Sequence, residues 1–181
     1  MIFVLTRHTT TEWNSQGRIQ GRTDIPLSPQ GIVEAQELAN LLINLGIELI
    51  VSSDLKRASQ TAAIVNTRLA VPLRLEARLR ECSFGTAEGL TRQQTIERCG
   101  AWIASSWDSH RAYDFLRIGG ERRDSVLARH MHVLKTLIDE KAGGKILLVG
   151  HGRGLCTLLS EFGLPPDLKR GEYRILEYAS P

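Results

Sequence analysis

Each of two histidines stands one step past a mostly apolar run. His8 follows Ile2-Phe3-Val4-Leu5-Thr6-Arg7, and His151 follows Ile146-Leu147-Leu148-Val149-Gly150. Roughly 140 residues separate them, so only a folded sheet brings them together. In α/β sheets, ligands bind in the crevice outside the carboxyl ends of the strands, where both imidazoles would project. Arg7 precedes the first histidine, and Arg57 opens the helical pattern after the next strand. Two imidazoles and two guanidiniums converging on one crevice make a site for phosphate, because arginine's planar fork pairs with phosphate oxygens. The chemistry this predicts is phosphoryl transfer through a histidine. A neutral imidazole attacks phosphorus with one ring nitrogen, while a backbone carbonyl holds the other. Arg7, Arg57 and His151 would neutralise the oxygens around the transferring group, His151 in its cationic form.

Neighbouring polar residues are less decisive alone. Thr11 and Asn14, in Thr11-Glu12-Trp13-Asn14, offer a hydroxyl and an amide as neutral phosphate ligands, or simply a capped loop. Gly17 and Gly21 alternate with Arg18, Gln20 and Arg22, which suits a loop whose backbone N–H groups approach an anion. Glu81, in Leu79-Arg80-Glu81-Cys82-Ser83, is placed to protonate a departing alkoxide, a task for a carboxyl group near phosphate's negative charge. A single glutamate between strand and loop is more often a solvated residue, and only its surroundings favour the catalytic reading.

These groups need a frame. Residues 2–6 are continuously apolar, as in a parallel strand covered on both faces. Ser28-Pro29 supplies a helix cap and a first-turn proline, and apolar residues from Ile32 to Leu45 recur at three- and four-residue spacing before Gly46. A strand at 48–52, a helix at 56–69 and a strand at 72–75 follow. Residues 80–121 lose periodicity and read as an insertion over the sheet edge. A helix from about Arg123 to Ile138, a strand at 145–149, a helix through Leu155–Leu159 and an alternating edge strand at 173–178 complete the order. Repeated β-α units predict a mainly parallel sheet with helices on both faces.

Composition narrows the class. The chain has 181 residues, 42% hydrophobic and 24% charged, with a net charge of +3; one domain with a full core is expected. No basic run exceeds two residues, so neither nucleic acid nor membrane is an expected partner. Among the cations, 18 arginines stand against 5 lysines, a bias that fits phosphate or carboxylate binding. The three cysteines, Cys82, Cys99 and Cys156, are an odd number without metal-like spacing and fit a reducing compartment. With an apolar strand at once and no long apolar run, the expectation is a cytoplasmic monomer or homodimer.

The segments together resemble the histidine phosphatase superfamily, the phosphoglycerate-mutase-like fold, over nearly the whole chain. Leu5-Thr6-Arg7-His8 with Thr11-Glu12-Trp13-Asn14 is similar to that family's opening Arg-His-Gly block. Gly17-Arg18-Ile19-Gln20-Gly21 and Asp24-Ile25-Pro26-Leu27-Ser28 resemble the loop and cap after it. Residues 52–62, Leu79 to Gly89, and Val149-Gly150-His151-Gly152 resemble the blocks of the second arginine, the proton donor and the second histidine. The resemblance implies a three-layer α-β-α sandwich with a mainly parallel sheet, as one domain over residues 1–181 with a small helical insertion at about 86–121. His8, Glu81 and His151 would be catalytic, His8 as nucleophile and Glu81 as acid and then base. Arg7, Asn14, Gln20, Gly21, Arg57 and Gly152 would contact a small phosphorylated substrate. No metal and no cofactor is implied.

Three positions depart from the family pattern. Thr9 stands where glycine is usual, Ala87 where tryptophan is usual, and Arg153 where a small or apolar residue is commoner. Thr9 would cost rate through strain, or sit at ordinary φ and donate to phosphate. Ala87 would widen the pocket. Arg153 would add a cation to it, or be an exposed helix-start residue. The resemblance leaves a metal-independent phosphomonoesterase as the leading expectation, a mutase as the first alternative, and a catalytically weak phospho-ligand binder as another. The family's mutases are longer, so the insertion of about 40 residues and the short segment after Tyr178 favour water as acceptor. Trp102, Trp107, His110, Tyr113 and Phe115 would stack on a nucleoside-like group, as in the family's ribazole phosphate phosphatases, or pack the insertion.

Overall fold

The computed structural model describes residues 1–142 and 144–178. Five strands, β1 (Ile2–Arg7), β2 (Leu49–Ser52), β3 (Leu73–Leu75), β4 (Lys145–Gly150) and β5 (Tyr173–Glu177), form one sheet in the order β3-β2-β4-β1-β5. All neighbours are parallel except β5, which runs antiparallel to β1 at the edge. The register pairs Leu5 with Leu148 and Arg7 with Gly150, so β1 and β4 end side by side and deliver His8 and His151 together. His8 continues the ladder by donating its backbone N–H to the carbonyl of Gly150 at 3.0 Å.

The central strands are apolar without alternation because both faces are covered. Val4, Ile50, Leu147 and Val149 face α2 (Pro29–Leu42) and α3 (Lys56–Leu69), meeting Leu38, Leu42, Ala58, Ala62 and Val65. Phe3, Leu5, Leu49, Val51, Ile146 and Leu148 face the opposite layer, built by α6 (Arg123–Asp139) and α7 (Gly152–Glu161). The result is the expected three-layer α-β-α sandwich. Ser28 caps α2, accepting from the N–H of Gly31 at 3.1 Å. The α-helix ends at Leu42, and residues 43–45 tighten into a 3-10 turn before Gly46.

The stretch from Thr9 is not all loop: α1 (Glu12–Ser15) forms one turn there. The aperiodic stretch after Leu79 holds α4 (Arg92–Cys99) and α5 (Ile103–Asp108) around an apolar cluster of its own, with Phe84, Ile103, Tyr113 and Phe115 inside. Phe115 packs edge-on to Phe84 and tilted to Trp107. Trp102, Tyr113 and Phe115 are thereby packing residues, whereas Trp107 and His110 reach the cleft described below. No helix among the described residues is long and apolar enough to cross a membrane.

Candidate active site

A cleft of about 430 Å³ opens at the carboxyl ends of β1 and β4. Arg7, His8, Asn14, Gln20, Gly21, Arg57, Glu81 and Gly152 line it. Every expected contact residue is therefore gathered there except His151, which lies fully buried beneath, its ring centroid 5.2 Å from that of His8.

His8 Nδ1 lies 2.7 Å from the backbone carbonyl of its neighbour Thr9. A carbonyl only accepts, so Nδ1 carries the proton and Nε2 keeps a free lone pair. Burial first, then Arg57 and Arg7, push this imidazole well below the usual histidine range. It is consequently neutral at pH 7, the form that attacks. His151 is pushed down likewise, by burial and then by Arg57 and His8. Without a phosphate beside it, His151 is therefore neutral as well. Its Nε2 lies 2.8 Å from the hydroxyl of Ser53, which itself accepts the N–H of Leu55 at 3.3 Å. Ser53 donating to Nε2 puts the ring proton on Nδ1, the buried ring atom with no protein partner. Ser53 escaped the sequence reading, although its place just past the end of β2 was the available signal.

Arg57 is fully buried at the start of α3. Its Nη2 donates to the carbonyl of Gly21 at 2.6 Å and Nη1 to that of Thr23 at 2.9 Å, while Nε has no partner. The loop thus turns the carbonyls of Gly21 and Thr23 toward Arg57, while Gly21 itself lines the cleft. Burial lowers the Arg57 guanidinium to about 10, still a cation at pH 7. Arg7 is also lowered by burial, and its Nε too lacks a partner. A Cβ at Gly152 would stand 2.9 Å from the Arg7 guanidinium carbon, so any side chain there would displace the Arg7 guanidinium.

Thr11 caps α1 and is buried. Its hydroxyl serves Asn14 in a reciprocal capping box, so it is not a phosphate ligand. Asn14 Oδ1 is occupied by Thr11, which leaves its amide N–H groups as the donors for a ligand. Gln20 is buried, with Oε1 unpartnered.

Glu81 holds the first turn of α7. The helix cap, His151, makes no side-chain capping bond. Glu81 substitutes from 70 residues away: Oε1 accepts the N–H of Gly154 at 3.1 Å and of Cys82 at 2.9 Å, and Oε2 accepts that of Arg153 at 3.0 Å. Oε2, with a single donor, is the oxygen with room for a proton.

The three departures resolve differently. Thr9 has no left-handed φ, and its hydroxyl donates to the carbonyl of Gly31 at 2.7 Å and contacts Thr61 Oγ1 at 3.3 Å. Neither strain nor a bond to phosphate is its role; it pins the β1–α1 connection to α2 and α3. Thr9→Gly is expected to cost about 1–3 kcal/mol of stability, through a lost buried hydrogen bond and added chain freedom, without raising kcat/KM. Urea unfolding and steady-state kinetics check both parts; a faster enzyme would restore the strain account. Ala87 is buried in the insertion's own cluster and does not widen the cleft. Arg153 is neither exposed nor idle. Its Nη1 donates to the carbonyl of Ser109 at 2.6 Å and Nη2 to that of Trp107 at 3.0 Å, with its guanidinium 4.8 Å above the Tyr113 ring. It fastens the insertion to α7 at the cleft wall.

Buried neutral imidazoles set an acid limit. His130, on α6, is lowered to about 3, by burial and then by Arg129. The unfolded chain takes up a proton near 6.5 and the folded state does not, so stability is full above that value and falls as pH drops toward about 3. At about pH 5 His130 costs about 2 kcal/mol. His130→Gln is expected to flatten the fall in urea midpoint between neutral and mildly acid buffer. An unchanged slope would contradict this.

Two histidines, two arginines and a carboxylate thus meet in or directly beneath one cleft at the carboxyl ends of an α/β sheet. The histidine phosphatase superfamily (branch 1) profile matches residues 3–180, and the chain belongs to that family. The Yersinia pestis (strain Pestoides F) protein named as a probable phosphoglycerate mutase, GpmB, is 35% identical over 168 residues, covering 92% of this chain and 77% of its own. Among solved structures, Bacillus stearothermophilus YhfR superposes with a TM-score of 0.88 at 29% identity, over 98% of this chain and 91% of that one. A mycobacterial glucosyl-3-phosphoglycerate phosphatase in complex with VO3 gives 0.84 at 31% identity, over 97% and 90%.

Proposed function

We propose that this chain is a phosphomonoesterase that hydrolyses a small phosphorylated metabolite through a phosphohistidine at His8, without a metal. The observation that carries the reading is the tautomer of a neutral His8, its Nδ1 proton held by the Thr9 carbonyl, in a cleft that Arg7 and Arg57 also line. In this reading Arg7 and Arg57, each with an unpartnered Nε, take the phosphoryl oxygens, and Asn14, Gln20, Gly21 and Gly152 line the seat. Nε2 attacks phosphorus as the ester oxygen leaves, and Glu81 Oε2 supplies the proton that oxygen needs. Glu81 then takes a proton from water as it attacks the phosphohistidine. His151, neutral in the ligand-free site, gives an N–H to an oxygen from Nδ1; with the phosphate's charge beside it, it becomes cationic by taking a proton that arrives with the phosphate ester onto Nε2, where the Ser53 hydroxyl turns to accept it. The cations meet the charge of the transferring group, which is the task that phosphoryl transfer sets a protein.

Hydrolysis is supported by the 31% identical mycobacterial phosphatase. The 35% identity to GpmB favours a second reading, phosphoryl movement within a sugar acid by the same residues. Incubation with 3-phosphoglycerate and a chelator, followed by phosphorus NMR, separates them. Inorganic phosphate is the expected product; 2-phosphoglycerate would favour the mutase, and no turnover of any ester in a phosphometabolite panel would favour a binder.

A further inference from the structure

α6 carries a residue, Arg129, that does not line the cleft but bonds to one that does, Glu81. The inner stripe of that helix holds Val126, Val133, Leu134 and Leu137 together with His130, and Arg129, mostly covered, falls on it three residues after Val126 and four before Val133. All five N–H groups of the Arg129 guanidinium are used. Nη1 donates to the carbonyls of Arg78, at 2.6 Å, and Arg80. Nη2 donates to the carbonyl of Glu81 at 3.0 Å and to Glu121 Oε2 at 3.2 Å, and Nε to Glu121 Oε1 at 3.3 Å. Glu121 Oε2 in turn accepts the N–H of Ser83 at 2.9 Å. One guanidinium and its carboxylate partner therefore hold the backbone at residues 78, 80, 81 and 83. Past the 3-10 turn at Ala77–Leu79 that segment has no regular secondary structure before Gly85.

The next residue of α6 braces the other end of the same side chain. His130 packs on Gly154 so closely that a Cβ there would stand 2.5 Å from its Nε2, and the Gly154 N–H grips Glu81 Oε1. Adjacent residues of one rigid helix thus set the backbone of Glu81 and a group that holds its carboxylate. The Arg80 side chain adds a third tie, donating to Asp54 at 2.7 and 2.5 Å. Lysine could not do the work of Arg129, having three donors and no planar fork.

We propose that Arg129 is a positioning residue for the proton donor: it fixes the reach of Glu81 Oε2 toward the leaving oxygen. This rests on Glu81 being the acid. A displacement of about 1 Å costs on the order of 10²-fold in rate, and the cost falls on substrates whose leaving group needs a proton.

Arg129→Lys, Glu121→Gln, Glu81→Gln and the Glu81→Gln/Arg129→Lys double variant are compared on p-nitrophenyl phosphate and phenyl phosphate, with thermal unfolding followed by circular dichroism. Arg129→Lys is expected to lower kcat on phenyl phosphate by roughly 10–10²-fold while sparing most of the rate on the nitrophenyl ester. In the Glu81→Gln background the same change should alter either rate by no more than about threefold, since the group it positions is gone. Equal losses on both esters, or a loss that multiplies with that of Glu81→Gln, would overturn the proposal. Should Arg129→Lys fail to fold, Glu121→Gln decides, with the same contrast expected at smaller size and equal losses overturning it. Glu81→Gln measured alone keeps the two ideas apart. If it shows no contrast the acid assignment falls, and if it does while Arg129→Lys and Glu121→Gln do not, only the positioning role falls.

Discussion

His8→Ala is expected to lower turnover by roughly 10⁴-fold or more, as removal of a covalent nucleophile does elsewhere, while the chain still folds. The loss is chemical because the imidazole contributes little else. Its one side-chain hydrogen bond goes to the carbonyl of Thr9, worth about 1 kcal/mol, and its backbone pairing with Gly150 survives the substitution. Losing a buried imidazole held neutral should even ease the acid sensitivity, since that group resists protonation only in the folded state. Kinetics with p-nitrophenyl phosphate, beside urea unfolding at two pH values, check both parts. Turnover within tenfold of wild type would remove His8 from the chemistry.

Glu81→Gln carries the second large effect, and its size depends on the substrate. General acid catalysis contributes about 10²–10⁴-fold, so alkyl phosphates, whose alkoxide cannot leave unprotonated, should lose most of that. A p-nitrophenyl ester should keep much of its rate. Stability also falls, because an amide nitrogen at the Oε2 position would face the N–H of Arg153 and cap α7 poorly; about 1–2 kcal/mol is expected. Measuring both ester types on the folded variant separates the two consequences. Equal rate losses on both would mean that Glu81 only shapes the first turn of α7.

The difference between these residues and Arg129 shows what a sequence exposes. Strands and helices announce themselves because burial imposes a local pattern: β1 reads as covered on both faces, and α3 spans Lys56–Leu69 with its apolar positions inward. His8 and His151 were legible because each stands at the end of such a strand, where topology alone determines what they face. Thr9, Ser53 and Arg153 were not, since each takes its meaning from partners 22, 98 and 44 residues away. Arg129 left one trace, a charged residue on the buried stripe of an amphipathic helix, but periodicity names no partner for it. The cap of α7 was hidden likewise, because His151 makes no side-chain capping bond and Glu81 reaches the helix only in the folded chain.

Phosphate trapping tests the central claim most directly. Wild-type protein mixed with a radiolabelled phosphate ester and quenched in alkali should carry label that is stable to base, labile to acid, and confined to the peptide containing His8. His8→Ala should carry none, and Glu81→Gln should accumulate more where breakdown is slowed. Label on any other residue, or label that persists in His8→Ala, would contradict the account.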